Sequence, residues 1–158
     1  MVAPERLFLD YAGPCLESRR ARGFVRDDHY AEVKRLMVAV EERPPRSLLR
    51  FVFPDANRGV RKAATELGVE QWSTEAIRHY FIQRHNDHVL KGAMRGVPAG
   101  QLHQCLVRTG VVKAISRNFL EVQIGGETER VLKGRAEPQI GLQVAVHYRQ
   151  AVDVLPQA

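Results

Sequence analysis

Cysteine and long apolar runs are scarce in this sequence of 158 residues. Two cysteines, Cys15 and Cys105, are too few for the disulfide framework of a small secreted protein, and they suit a reducing compartment. No apolar run approaches the roughly 20 residues that cross a bilayer. The first residues also lack the basic segment and apolar stretch of a secretory signal. The sequence therefore predicts a cytoplasmic protein without a membrane span.

The usual sequence signatures of catalysis are missing as well. The chain contains no glycine-rich phosphate loop of the GxxxxGK type, no GxGxxG, no GxSxG and no HExxH. We therefore expect a protein that is not an enzyme and that holds no permanent cofactor.

The composition favours a folded protein with an acidic partner. Hydrophobic residues make up 44% and charged residues 27%, which is typical of globular proteins, and the length allows one domain or two small ones. A total of 24 Lys and Arg against 18 Asp and Glu gives a net charge of +6. This excess favours nucleic acid or an acidic protein as a partner and does not choose between the two.

The hydrophobic period changes near residue 100, and this change predicts two domains, 1–99 and 100–158. In the first domain, apolar residues recur at helical spacing. Cap and stop signals then give the helix boundaries. The pattern predicts a helix over 5–11, a helix capped by Asp27 or Asp28, a helix capped by Asp55 or Asn57 and stopped by Gly68, and a helix that begins after Ser73.

The second domain has the period of β-strands. Residues 91–100 hold three glycines and one proline and predict the connection between the domains. Beyond them, apolar and polar residues alternate, and Gly125-Gly126 offers a hairpin turn. Five or six short strands, one of them at 105–107, avoid exposed edges by closing on themselves. The predicted fold class is α+β, an N-terminal helical region followed by a small C-terminal β-barrel of the OB or SH3-like type.

Two motifs in the last third of the chain carry a family resemblance. The chain reads CLVRTGVVKAI from Cys105 to Ile115 and IGLQVAVHYRQAVDV from Ile140 to Val154. Over residues 104–155 the sequence resembles the HypC/HupF family of hydrogenase assembly chaperones, small barrels that escort the hydrogenase large-subunit precursor. Thr109 stands where the family has proline, and Arg149 or Gln150 where it has glycine.

The resemblance implies a role in assembly of a nickel-iron hydrogenase. It implies a non-catalytic accessory factor that docks on the large-subunit precursor or on a maturation protein. The functional cysteine and histidine of the family fall on Cys105 and His147, which implies a transient iron fragment as ligand. His103, two residues before Cys105, is a further candidate ligand. We expect the partner to contact neighbours of this pair, namely Arg108, Thr109 and Tyr148.

The alternation of the last strands bears on where His147 lies. Leu142, Val144 and Val146 share one face, so His147 is expected on the other, away from the core and exposed. A thiolate with a nearby imidazole is a ligand set that an iron fragment accepts. The alternative is that Cys105 is a small buried hydrophobic residue and His147 a solvated edge residue.

The helical region leaves a second function open. Residues 61–69 and the helix after Ser73 partly resemble a helix-turn-helix, although the turn is too long, so an ordinary helical hairpin is favoured. In the nucleic-acid alternative, four residues would contact bases and phosphates: Arg78, Gln83, Arg84 and Asn86. A plain interaction subunit, without metal or thiol chemistry, is the third hypothesis.

Histidines cluster in the middle of the chain. His85 and His88 have the i, i+3 spacing of two ligands on one helix face, but the closed set of four ligands typical of structural zinc is not visible. The favoured interpretation is that these histidines interact with the dipole at a helix C-terminus.

Overall fold

The chain consists of a helical part and a β-barrel part. A computed structural model describes residues 2–93, 104–134 and 137–157. It divides into two units, Met1–His85 and Asn86–Ala158. The predicted α+β class, with helices first and a small closed barrel in the C-terminal region, is confirmed.

The division between the units falls earlier than the predicted boundary at 99/100. Helical structure continues through a π-helical turn at Val89–Ala93, so the first residues of the predicted connection are helical. The rest of that connection, residues 94–100, lies outside the described residues.

Most of the described helical residues lie between Pro4 and Ala93, Gln104 and Cys105 are helical as well, and two helices were not predicted from the sequence. The unpredicted helices, α2 and α4, are short and flanked by glycine or proline. The bounds are α1 Pro4–Ala12, a 3-10 turn Gly13–Cys15, α2 Leu16–Ala21, α3 Asp27–Val38, α4 Arg46–Val52, α5 Pro54–Leu67, α6 Thr74–Arg78, a π-helical turn His79–Arg84, α7 His85–His88 and a π-helical turn Val89–Ala93.

Some helix ends follow the predicted capping rules and others do not. Gly68 ends α5 in the left-handed conformation with φ of 67°, as a C-terminal glycine does. The Ser73 hydroxyl accepts a hydrogen bond from the Ala76 backbone N–H at 3.2 Å and caps α6. Asp27 is the first helical residue of α3 rather than its cap. Pro54 opens α5, so Asp55 lies inside that helix, because proline is preorganised for the first turn.

An aromatic cluster forms the centre of the helical unit. The ring of Phe8 in α1 packs against Phe53, Trp72 and Phe81, with centroid distances of 6.2, 5.4 and 6.0 Å. Tyr11, one turn further along α1, stacks on Phe81 at 4.8 Å. These rings fix α1 against the segment that follows α6.

Close packing of α5 on the π-helical turn depends on one glycine. A Cβ atom built on Gly59 would lie 2.0 Å from Cε2 of the buried Tyr80 ring. Glycine is therefore required where the Tyr80 ring meets the backbone of α5.

The second unit is a closed barrel of five strands in the order β1-β2-β3-β5-β4. All neighbouring strands are antiparallel except β3 and β5, which pair in parallel at Leu132 and Gln150. The interior is apolar, with Val112, Leu120, Val122, Val131, Val144, Val146 and Ala151 buried in one cluster. The strands are β1 Arg108–Ile115, β2 Phe119–Ile124, β3 Glu127–Leu132, β4 Gln143–His147 and β5 Gln150–Val154.

The predicted strand at 105–107 is not formed, because Cys105 is helical and the chain bends at Leu106. The side chain of Asn86 binds both polar groups of the Val107 backbone: Nδ2 donates to the carbonyl at 2.7 Å, and Oδ1 accepts from the N–H at 2.8 Å. Because Val107 already has both hydrogen bonds, it does not pair with a neighbouring strand, and β1 begins at Arg108.

Candidate metal-ligand pairs

The barrel unit holds a pair formed by Cys105 and His147. The Cys105 Sγ atom and a ring nitrogen of His147 lie within 4.8 Å of each other. β1 and β4 are antiparallel, with Arg108 opposite Val146, so the residues just before β1 lie beside the end of β4. His147 is the last residue of β4. Strand pairing thus brings together two residues that are far apart in the sequence.

A hydrogen bond assigns the tautomer of His147. Its Nε2 lies 2.9 Å from the backbone carbonyl oxygen of Cys105. A carbonyl only accepts, so Nε2 carries the proton, and Nδ1 is the nitrogen with the lone pair in the neutral ring. Metal-ligating histidines commonly donate their other N–H to a carbonyl in this way, which fixes the ring orientation. The carbonyl of Cys105 thus prepares His147 to bind through Nδ1.

Burial of the pair differs from expectation. The alternation of β4 places Val144 and Val146 in the barrel interior, so His147 lies on the other face, as expected. However, His147 is 0% exposed and Cys105 is 1% exposed. The expected surface position is wrong because both faces of β4 are buried from Val144 to His147.

The predicted partner-contacting residues beside this pair have structural roles. Arg108 forms a bidentate ion pair with Glu129 across the barrel. Thr109 lies in β1 opposite Ala145 of β4. Tyr148 follows β4, and its backbone N–H donates to the carbonyl of Gln104 at 3.1 Å. The remaining predicted ligand, His103, lies outside the described residues.

The helical unit contains a second pair, Cys15 and His85, that sequence reasoning did not couple. The Cys15 Sγ atom and a ring nitrogen of His85 lie within 4.8 Å of each other. Cys15 ends the 3-10 turn after α1, and His85 is the first residue of α7. The sequence carries no spacing motif that joins Cys15 to His85, because the two residues lie far apart in the chain.

The aromatic stack explains why Cys15 and His85 meet. Tyr11 stacks on Phe81 with an interplanar angle of 9°. Cys15 is four residues after Tyr11, and His85 is four residues after Phe81. Four residues are about one helical turn, so both ligands follow the stacked rings on the same side of their segments. The sequence alone could not show that Tyr11 stacks on Phe81, because this contact is part of the tertiary structure.

His79 is an ion-pair partner of a glutamate. The ring of His79 lies 3.2 Å from a Glu66 carboxylate oxygen, and Arg84 Nε donates to the same oxygen at 3.1 Å. The hydrogen bond from His79, together with that from Arg84, holds the pKa of Glu66 below its usual range. His85 lies beside Cys15, a neighbour that the i, i+3 spacing of His85 and His88 did not indicate.

The structure engages part of the predicted nucleic-acid surface in internal contacts. The amide of Asn86 is bound to Val107, and Arg84 is paired with Glu66. Gln83 is exposed, and Arg78 is half-buried. Asn86, the residue whose amide best suits base recognition, is therefore committed to the protein backbone.

The two pairs share one chemistry. Each combines a thiol with an imidazole, the ligands that soft and borderline ions such as Zn²⁺ prefer over carboxylates. Among the residues that the structure describes, the candidate metal ligands are Cys15 and His85 in the helical unit and Cys105 and His147 in the barrel unit. Neither cysteine forms a disulfide in the part of the chain that the structure describes.

No similarity to a known protein adds to the evidence from these candidate ligands. Within residues 2–93, 104–134 and 137–157, no helix has both the length and the apolar character needed to cross a bilayer. No family model, no curated protein and no solved structure matches the chain.

Proposed function

We propose that this chain is a non-catalytic accessory factor in the assembly of a nickel-iron hydrogenase, acting in the cytoplasm. Its barrel would dock on the large-subunit precursor or on a maturation protein. One observation carries the proposal: Cys105 and His147, the two positions that match the functional pair of the HypC/HupF motif, have ligand atoms within 4.8 Å on a closed barrel.

The chemistry of the pair supports a metal-binding role. A thiolate and a neutral imidazole are a suitable soft and borderline ligand set for iron. The hydrogen bond from Nε2 to the Cys105 carbonyl fixes the orientation of the His147 ring, as is common for metal-ligating histidines. A buried thiolate gains from a metal because the cation offsets the cost of burying its charge.

Burial sets a condition on any transient iron fragment. Cys105 and His147 are almost completely buried, and Asn86 holds the backbone two residues after Cys105. A bulky fragment reaches the sulfur only after this segment moves. We therefore propose that docking on the partner comes first and that any loading of Cys105 is coupled to it.

The function is tested by complementation in a hydrogenase-producing host that lacks this chain. We expect loss of hydrogenase activity in the deletion strain, rescue by the unaltered chain, and copurification of the large-subunit precursor with a tagged copy. Cys105→Ser should not rescue activity, whereas Thr128→Ala, at an exposed barrel position, should.

Two results would overturn the assignment. Full hydrogenase activity in the deletion strain would remove the assembly role altogether. Rescue by Cys105→Ser would remove the thiol from that role, provided that the variant accumulates to the same level. Circular dichroism of the purified variant separates loss of the thiol from loss of the fold.

A further inference from the structure

The pair in the helical unit lies outside the part of the chain that resembles any chaperone. Cys15 and His85 precede residue 104, so neither the resemblance nor the proposed function uses them. Cys15 is partly buried and His85 is 6% exposed. Both side chains are therefore largely shielded from water, where a metal-ligand bond competes less with hydration.

The surroundings of His85 hold its ring in place. The ring packs 5.5 Å from that of Phe81 and meets the ring of Tyr80 edge-on at 5.9 Å. Phe81 is itself fixed by Tyr11 and Phe8. A ligand held in this way loses little freedom when it binds an ion, which favours affinity.

The spacing of the two ligand atoms suits a shared ion. Zn–S and Zn–N bonds of tetrahedral sites place the sulfur and nitrogen about 3.5 Å apart. Cys15 and His85 need only a small side-chain adjustment from a separation within 4.8 Å. The donor set of one sulfur and one nitrogen excludes Mg²⁺ and Ca²⁺, which require oxygen ligands.

We propose that Cys15 and His85 are ligands of a thiophilic divalent metal ion of the Zn²⁺ class. A closed zinc site takes four ligands, and one pair supplies two. The Cys15–His85 pair of the helical unit would therefore supply two of the ligands of such an ion.

The test uses the purified full-length chain after removal of metal with a chelator. Zn²⁺ is titrated against a chromophoric chelator, and Co²⁺ is used as a spectroscopic probe. We expect the chain to bind Zn²⁺, and Co²⁺ at the same ligands to give a thiolate charge-transfer band. Loss of an outer-shell partner of a metal ligand weakens metal binding roughly 10- to 100-fold, and Cys15→Ser should weaken Zn²⁺ binding at least as much. The substitution should also weaken the charge-transfer band.

A matched histidine variant and a chemical measurement complete the test. His88→Gln, at an exposed position three residues after His85, should bind Zn²⁺ like the unaltered chain, whereas His85→Gln should not. In the unaltered chain, Zn²⁺ should slow alkylation of Cys15, measured peptide by peptide by mass spectrometry. This readout needs no variant, so it remains decisive if a substituted chain fails to fold.

Equal Zn²⁺ affinity of Cys15→Ser and the unaltered chain would overturn the proposal, as would alkylation of Cys15 at the same rate with and without Zn²⁺. These measurements are independent of hydrogenase assembly. A chain that binds Zn²⁺ through Cys15 but leaves hydrogenase activity unchanged when deleted would refute the proposed function alone. The converse result would refute only the metal site.

Discussion

At the scale of single residues, the turn between β4 and β5 contains two side chains where glycine or asparagine is usual. Tyr148 and Arg149 have φ of 51° and 60°, and they connect His147 to Gln150 in a two-residue hairpin. Positive φ at both central positions is the type I′ turn, whose backbone twist matches that of the flanking strands. Non-glycine residues adopt this conformation at a cost.

Arg149→Gly should therefore stabilise the protein. Arg149 is exposed, so the substitution removes the cost of the left-handed conformation without loss of packing. We expect a gain of about 0.5–1 kcal/mol in the free energy of unfolding, because the flexibility of glycine in the unfolded chain offsets part of the relief. Urea-induced unfolding measures it.

Arg117→Gly is the control for this gain. Arg117 is also an exposed loop arginine, but it does not have positive φ, so the same chemical change should be neutral or destabilising. Equal effects of the two substitutions would contradict the explanation from backbone conformation.

Single residues of the candidate site also show which properties can be predicted from the sequence and which cannot. Alternation assigns His147 to the face opposite Val144 and Val146, because side-chain direction in a strand is a local property. It gave the wrong exposure, because burial depends on what the rest of the chain packs there. Cys15 was not identified as a ligand for the same reason: its partner is determined by the Tyr11–Phe81 stack, which is tertiary structure.

At the scale of elements, the C-terminal end of helix α3 is capped by a side chain from helix α1. Arg6 in α1 is 4% exposed, and its guanidinium donates to the carbonyls of Leu36 at 2.8 Å, Ala39 at 2.7 Å and Glu42 at 3.0 Å. The carbonyls of Leu36 and Ala39 lie at the end of α3, which has no glycine cap, and that of Glu42 lies in the segment after the helix. A buried cation is thus placed at the negative end of a helix dipole.

Arg6→Lys should destabilise the chain although it keeps the charge. A single ammonium group cannot reproduce the fork that reaches three carbonyls, so buried acceptors lose their donors. We expect a loss of about 2–3 kcal/mol in the free energy of unfolding. Arg58→Lys, at a position whose side chain is 63% exposed, should change it by less than about 0.5 kcal/mol. Indistinguishable unfolding curves for the two variants would argue against this role of Arg6.

Elements were predicted well where their signals are local. The cap at Ser73, the stop at Gly68 and the alternating strands follow from short-range rules, and the structure contains them. The strand predicted at 105–107 failed because Asn86, distant in sequence, takes the hydrogen-bonding groups of Val107. Helices α2 and α4 were missed because six and seven residues are too few for a clear helical period.

At the scale of the whole molecule, the net charge of +6 coexists with an internal carboxylate. Glu5 is 2% exposed, and Arg46 Nε donates to it at 2.7 Å. Burial opposes its ionisation, but the hydrogen bond from Arg46, with the charges of Arg46 and Arg43, holds the pKa of Glu5 below its usual range. A lowered pKa means that the folded state binds this proton less readily than the unfolded state.

Stability should therefore fall in acid, and Glu5 should contribute to the fall. Its contribution is complete above the ordinary glutamate pKa of about 4.3 and is lost as the pH falls through the lowered native value. Glu5→Gln should cost about 1–2 kcal/mol at neutral pH. It should also flatten the decline in unfolding free energy below about pH 4.3. The exposed Glu70→Gln should leave the decline unchanged, and an equal slope for Glu5→Gln would exclude this role.

The class of the whole molecule followed from the sequence because the hydrophobic period changes once, from helical to alternating. The exact place of the division did not, because composition marks flexible residues and not the contacts that assign a helix to one unit. The hydrogenase role remains a proposal that depends on the resemblance and on the Cys105–His147 geometry.

The two hydrogen bonds between Asn86 and Val107 have a consequence for where the chain can be truncated. A shortened protein that starts at residue 100, where composition suggests a clean cut, would leave the N–H and carbonyl of Val107 without their amide partner. One that starts before Asn86 would retain it. A shortened protein that keeps these hydrogen bonds therefore includes the helical residues from Asn86 onward, which the sequence alone assigned to the helical domain.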